Sequence, residues 1–64
     1  MDVSVFNHGS VFLFTLKTPA ARARVDENVQ LEGWQWVGAN AFAVDHRYAD
    51  QLAAGMEEAG LEVG

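Results

Sequence analysis

The residues best suited to chemistry in this chain are His8 and His46, which could bind a metal or pass a proton, and Ser4 and Ser10, which could act as nucleophiles. Neither histidine has a second metal-type ligand at a spacing a zinc or transition-metal site uses, and there is no cysteine to supply a thiolate. Asp45 and His46 are neighbours, so at the end of a strand their side chains diverge. His8 reads as a turn residue and His46 as a helix-start residue. No nucleophile elbow, and no base with an orienting partner, surrounds either serine. The glycines in His8-Gly9-Ser10 and Val37-Gly38-Ala39 stand singly in turns, which is not the pattern of a phosphate-binding loop. The sequence therefore predicts no enzyme, no cofactor and no metal.

What remains is a surface. Nine acids against four bases give a formal charge of −5. The excess is uneven: Lys17, Arg22 and Arg24 fall in the first part, while Asp50, Glu57, Glu58 and Glu62 follow Arg47 with no base among them. Direct binding to nucleic acid is disfavoured, because phosphate contacts need a basic patch. The tryptophans Trp34 and Trp36 could stack on bases, but with so few bases nearby they read as core or partner-interface residues. The acids read either as an ordinary solvated face or as a row that imitates DNA phosphates and steers a basic protein toward it. On the second reading the contacts are Asp26, Glu27, Glu32, Asp50, Glu57, Glu58 and Glu62, with Trp34 and Trp36 as apolar anchors.

These residues must be positioned by a very small body. Sixty-four residues make a single domain, 1–64, near the lower limit for folding alone, yet half of them are hydrophobic, which is too apolar for a disordered tail. No apolar run approaches the roughly 18 residues that span a bilayer, and Met1-Asp2 does not open a signal peptide, so the expected compartment is the cytoplasm.

Residues 3–6 and 11–16 are β-prone runs around a turn in which Gly9 supplies the positive φ, predicting a hairpin. The second run is apolar on both faces, as for a strand covered on both sides. Thr18-Pro19 predicts the start of a helix over about 19–28, with Ala21, Val25 and Val29 as its apolar stripe. Asp26 and Glu27 near its carboxyl end oppose the helix dipole, which an Arg22 to Asp26 pair partly offsets. After a connector at 30–33, residues 34–37 and 41–45 read as a second hairpin around Gly38-Ala39-Asn40, with Trp34 and Trp36 on one face. Asp45 can cap a last helix running from His46 or Arg47 to about Ala59 with Tyr48, Leu52, Met56 and Ala59 on its stripe. Gly60-Leu61 looks like a helix-ending glycine and the apolar residue that folds back. Residues 61–63 read either as an edge strand or as a frayed end. The predicted fold is α+β, a two-layer ββαββα plan with a four-stranded, mainly antiparallel sheet and both helices on one face. Its other face would carry some of Val11, Leu13, Trp34 and Trp36, and an exposed apolar face on so small a protein implies a partner or a second copy.

The segments His8-Gly9-Ser10-Val11, Thr18-Pro19-Ala20-Ala21-Arg22, Trp36-Val37-Gly38 and Val44-Asp45-His46-Arg47-Tyr48 resemble the pattern of a group of short proteins from bacteria and their mobile elements. Small acidic proteins of this kind include phage-encoded anti-CRISPR proteins, and the chain is similar in size and charge to inhibitors of type I-C systems. The resemblance implies binding to a Cas effector subunit, a type I-C Cascade component, in the bacterial host and blocking its contact with DNA. It implies no catalytic residues. The competing expectation is a small structural or accessory protein that forms a homodimer through the apolar sheet face.

Overall fold

The computed structural model describes residues 1–29 and 31–64; Gln30, the first residue of the predicted connector, lies outside them. The fold is α+β. Strands β1 (Val3–His8) and β2 (Val11–Leu16) form a hairpin, α1 (Pro19–Asn28) follows, and β3 (Ala41–Asp45) leads directly into α2 (His46–Glu58). The three strands make an antiparallel sheet in the order β1-β2-β3.

Local chemistry sets the boundaries. Gly9 takes φ 84° in the hairpin turn, where its amide donates to Asn7 Oδ1 at 2.8 Å. The pairing continues through His8 opposite Val11, so His8 ends a strand rather than sitting in the turn. At α1 the Thr18 hydroxyl accepts the Ala21 amide at 3.2 Å and Pro19 opens the helix without a missing bond. At α2 the Asp45 carboxylate accepts the Arg47 amide at 2.8 Å. Gly60, at φ 93°, closes α2: its amide donates to the Glu57 carbonyl and that of Leu61 to the Met56 carbonyl, the double return bond of a Schellman ending.

The inner face of the sheet and the two helices share one core. Val3, Phe14, Leu16, Phe42 and Val44 from the strands meet Ala21 and Val25 of α1 and Ala49, Leu52 and Met56 of α2. Phe14 and Phe42 are fully buried neighbours, with rings stacked 5.2 Å apart and 6° from parallel. Tyr48, expected on the stripe of α2, instead flanks it and is exposed.

The predicted fourth strand is where the observed architecture departs from the ββαββα plan. Residues 34–37 do not pair along β3; Gly33–Gln35 form a 3₁₀ turn, and a single antiparallel bridge joins Trp36 to Phe42. The Gln35 side chain accepts the Glu32 amide at 2.8 Å, and the Gln35 amide donates to the Glu32 carbonyl. This local closure competes with a strand for the same backbone groups. The segment still serves the edge of β3. Val37 donates to the Ala41 carbonyl, and the Gln35 side-chain amide donates to the Ala43 carbonyl at 3.2 Å.

At the other edge, the last residues do pair. Val3 bridges Val63 in parallel, Val5 donates to the Gly64 carbonyl, and Gly64 donates to that of Val3. The outer face of the sheet carries Phe6, Val11 and Leu13. Both helices pack on the inner face, so among the described residues neither helix supplies the second cover expected for β2.

Candidate acidic and aromatic surface

Arg22 organises the part of the surface where acids and aromatic rings meet. It stands one turn into α1, ion-paired with Asp26 at 3.2 Å, and its guanidinium lies 4.3 Å from the centre of the Trp36 ring. The same guanidinium donates to the Ala39 carbonyl, tying α1 to the turn before β3. Trp36 meets Phe42 edge-on, with centroids 5.7 Å apart, so it is anchored to the core on one side and to a cation on another. Beside it, Asp26, Val29, Leu31, Glu32 and Trp36 line a shallow recess of about 410 Å³.

Trp34 behaves differently. In the 3₁₀ turn its ring projects outward and is 80% exposed. The two tryptophans therefore do not share a strand face: Trp36 is a half-buried structural residue, and Trp34 is free to meet a partner. Their alternating spacing suggested one common face because it assumed extended backbone, and the Glu32 and Gln35 pair was the local signal for the turn.

All seven nominated acids are exposed, and they are spread over several elements. Asp26 and Glu27 lie in the last turn of α1, Glu32 opens the 3₁₀ turn, Asp50, Glu57 and Glu58 lie on α2, and Glu62 follows it. The Lys17 amide and the Thr18 hydroxyl both bond to Asp2 at the start of α1, and the Glu62 amide bonds to Asp2 after the end of α2. One helix thus leaves the end of the sheet at which the other arrives, so the two run in opposite directions, and Val25 and Val29 of α1 share a cleft with Leu52 and Met56 of α2.

Among the described residues Glu27, Glu32, Asp50, Glu57 and Glu58 form no ion pair, while Glu62 faces the amino terminus at 3.0 Å. Neither helix has a base in its last turn. Each terminal acid then opposes the helix dipole, at a cost of a few tenths of a kcal/mol for an exposed group.

Two acids outside the nominated set, Asp2 and Asp45, also hold the structure together. The Asp2 carboxylate accepts the Glu62 amide at 2.9 Å and the Thr18 hydroxyl at 2.8 Å. These bonds hold it below the usual carboxylate range, the amide contributing most. Asp45 is lowered likewise, first by the Arg47 amide and then by the Arg47 side chain. Asp45 as a cap was legible from its place before a helix, whereas the clasp at Asp2 joins the two ends of the chain and has no local signature.

His8 ends β1 with its ring 6.2 Å from that of Phe6, and His46 opens α2 with its amide bonded to the Ser10 carbonyl. Among the described residues no three potential ligands cluster to hold a metal ion, and no helix is long and apolar enough to cross a membrane. A cleft of about 190 Å³ separates the helices, with Val25, Val29, Leu52 and Met56 among its walls, but it contains none of the acids.

No family model, no curated protein and no solved structure matches the chain.

Proposed function

We propose that the chain is a non-enzymatic inhibitor that binds a basic DNA-binding protein through its acidic surface and keeps that protein from DNA. The observation that carries this reading is the set of exposed carboxylates without an ion partner, several of them at helix ends where the local dipole disfavours them. A sequence that breaks a local rule without a structural gain usually does so for a surface it needs. Trp34 adds an apolar anchor of the type that dominates binding hot spots, and it lies in the same turn that Glu32 opens.

The acids are spread over α1, the 3₁₀ turn, α2 and the segment after it, which suits an extended basic surface better than a single basic pocket. With the resemblance to type I-C anti-CRISPR inhibitors, the partner proposed is a DNA-recognising subunit of type I-C Cascade. Asp26 and Glu32 would present charge beside Trp36, and Glu27, Asp50, Glu57, Glu58 and Glu62 would supply the field that steers the encounter.

The test is capture of type I-C Cascade on the immobilised chain, together with inhibition of its DNA binding, at about 50 mM and about 300 mM salt, since exposed charge pairs are screened across that range. Capture should fall with salt, and Glu57→Lys with Glu58→Lys, or Asp26→Lys with Glu27→Lys, should weaken it. Inhibition unchanged by both charge reversals would end the reading.

A further inference from the structure

The outer face of the sheet is built as three cross-strand rows. Ser4, Thr15 and Ala41 form one, Phe6, Leu13 and Ala43 the middle one, and His8, Val11 and Asp45 the third. Both helices lie on the opposite face, and Phe6 is left 60% exposed. We infer that two copies of this chain associate weakly face to face through these rows, about a two-fold axis parallel to β2.

Three features single out a second copy as the occupant. The first is charge. Of the nine residues in the rows only Asp45 is an acid; of the other eight, Asp2 precedes β1 and seven lie on the helices, at the start of the 3₁₀ turn or in the last segment. Two such bodies repel one another least when they approach through this face.

The second is that both sheet edges are partly occupied. Val3 and Val5 of β1 are bonded by residues 62–64, and the Ala41 and Ala43 carbonyls of β3 accept from Val37 and the Gln35 side chain. Extending the sheet edge to edge would have to displace these bonds, whereas the face is open.

The third is self-complementarity. A two-fold axis along the central strand places β1 of one copy over β3 of the other and leaves each row facing itself in reverse. Phe6 then lies over the small Ala43 of the second copy, Leu13 over Leu13, and His8 over Asp45, an acceptor for the imidazole N–H. The large-to-small gradient across the middle row fits this arrangement; an axis at right angles to the strands would set Phe6 against Phe6 and leave the alanines facing a gap. Three strands at about 4.8 Å by five residues at about 3.4 Å give a footprint well below the roughly 800 Å² per partner of a standard interface, so the association is weak.

Sedimentation equilibrium of the full chain from about 10 μM to about 1 mM reads this directly. Dimer mass should appear toward the upper end and increase with added salt, because screening relieves like-charge repulsion. That response is opposite to the loss of Cascade capture, so the two proposals fail independently. Phe6→Ala and Ala43→Phe should each weaken association about tenfold or more, and the double variant, which exchanges large and small across the axis, should recover it. Val11→Glu, at an exposed position, should abolish it with an unchanged circular dichroism spectrum. Monomer mass at every concentration, a constant indifferent to the single variants, or a double variant no better than the singles would overturn the inference.

Discussion

Asp2 shows how much a single exposed side chain can hold together in a chain this short. Its carboxylate joins the start of α1 to the segment after α2, and its backbone accepts the Lys17 amide and donates to the Glu62 carbonyl. Because its pKa is lowered from the ordinary 3.8 in the folded state, the bound carboxylate contributes stability that is fully present above that value and is lost as pH falls through the depressed one. Asp45 has the same sign. Thermal melts between pH 7 and about pH 2.5 should therefore show Tm falling on the acid side, and Asp2→Asn should lower Tm at pH 7 and flatten that fall. An acid limb as steep in Asp2→Asn as in the parent would show that the clasp does not carry it. Arg22 makes a second prediction at this scale. Replacing it with alanine removes the cation over Trp36 and the bond to Ala39, and should cost about 0.5–1 kcal/mol in urea unfolding. Arg22→Lys should recover only part of that, because an ammonium lacks the planar fork that stacks on a ring while donating sideways.

At the scale of elements, the parts legible in the sequence are those whose signals are local and uncontested. Thr18-Pro19, Asp45 and Gly60-Leu61 each perform the capping chemistry expected of them, and the stripe at Ala21, Val25 and Val29 faces the core. Residues 34–37 were not legible because two local signals disagree there. The alternation Trp-Gln-Trp-Val has the period of a strand, but the Glu32 and Gln35 spacing folds the same residues into a 3₁₀ turn, and tertiary contacts of Trp36 with Phe42 and Arg22 accommodate the turn. The exposure of the nominated acids could be read from the chain. The opposite directions of the two helices that carry most of them could not, because they depend on where each helix meets Asp2. Gly55 offers a test of what α2 requires. A Cβ built there meets nothing within 4 Å, so close packing does not explain the glycine. Gly55→Ala should stabilise the protein by about 1 kcal/mol through helix propensity, read as a higher urea midpoint at unchanged slope. A neutral or lower midpoint would mean that the helix is not the element whose formation limits stability.

For the molecule as a whole, the decisive quantity is how little core is available. A domain of this size is stable by only about 0.05–0.15 kcal/mol per residue, roughly 3–10 kcal/mol in total. Phe42 lies where all the parts meet: its ring stacks on Phe14, takes the edge of Trp36, and bridges the segment that replaces a fourth strand. Truncating a buried phenylalanine to alanine costs about 3–5 kcal/mol, a loss comparable to the lower part of that range. Phe42→Ala should therefore leave a population substantially unfolded at 37 °C, with reduced ellipticity and Trp36 emission shifted to the red. Phe42→Leu, which keeps most of the volume but loses the stack, should remain folded with a lower urea midpoint. Weak face-to-face association should then appear as a concentration-dependent gain in Tm for Phe42→Leu, since a dimer that forms only from folded chains stabilises a marginal monomer by mass action. If its Tm stayed constant from about 10 μM to about 1 mM while the parent sedimented as a dimer, the partner copy would have to recognise a partly unfolded chain as well as the native sheet.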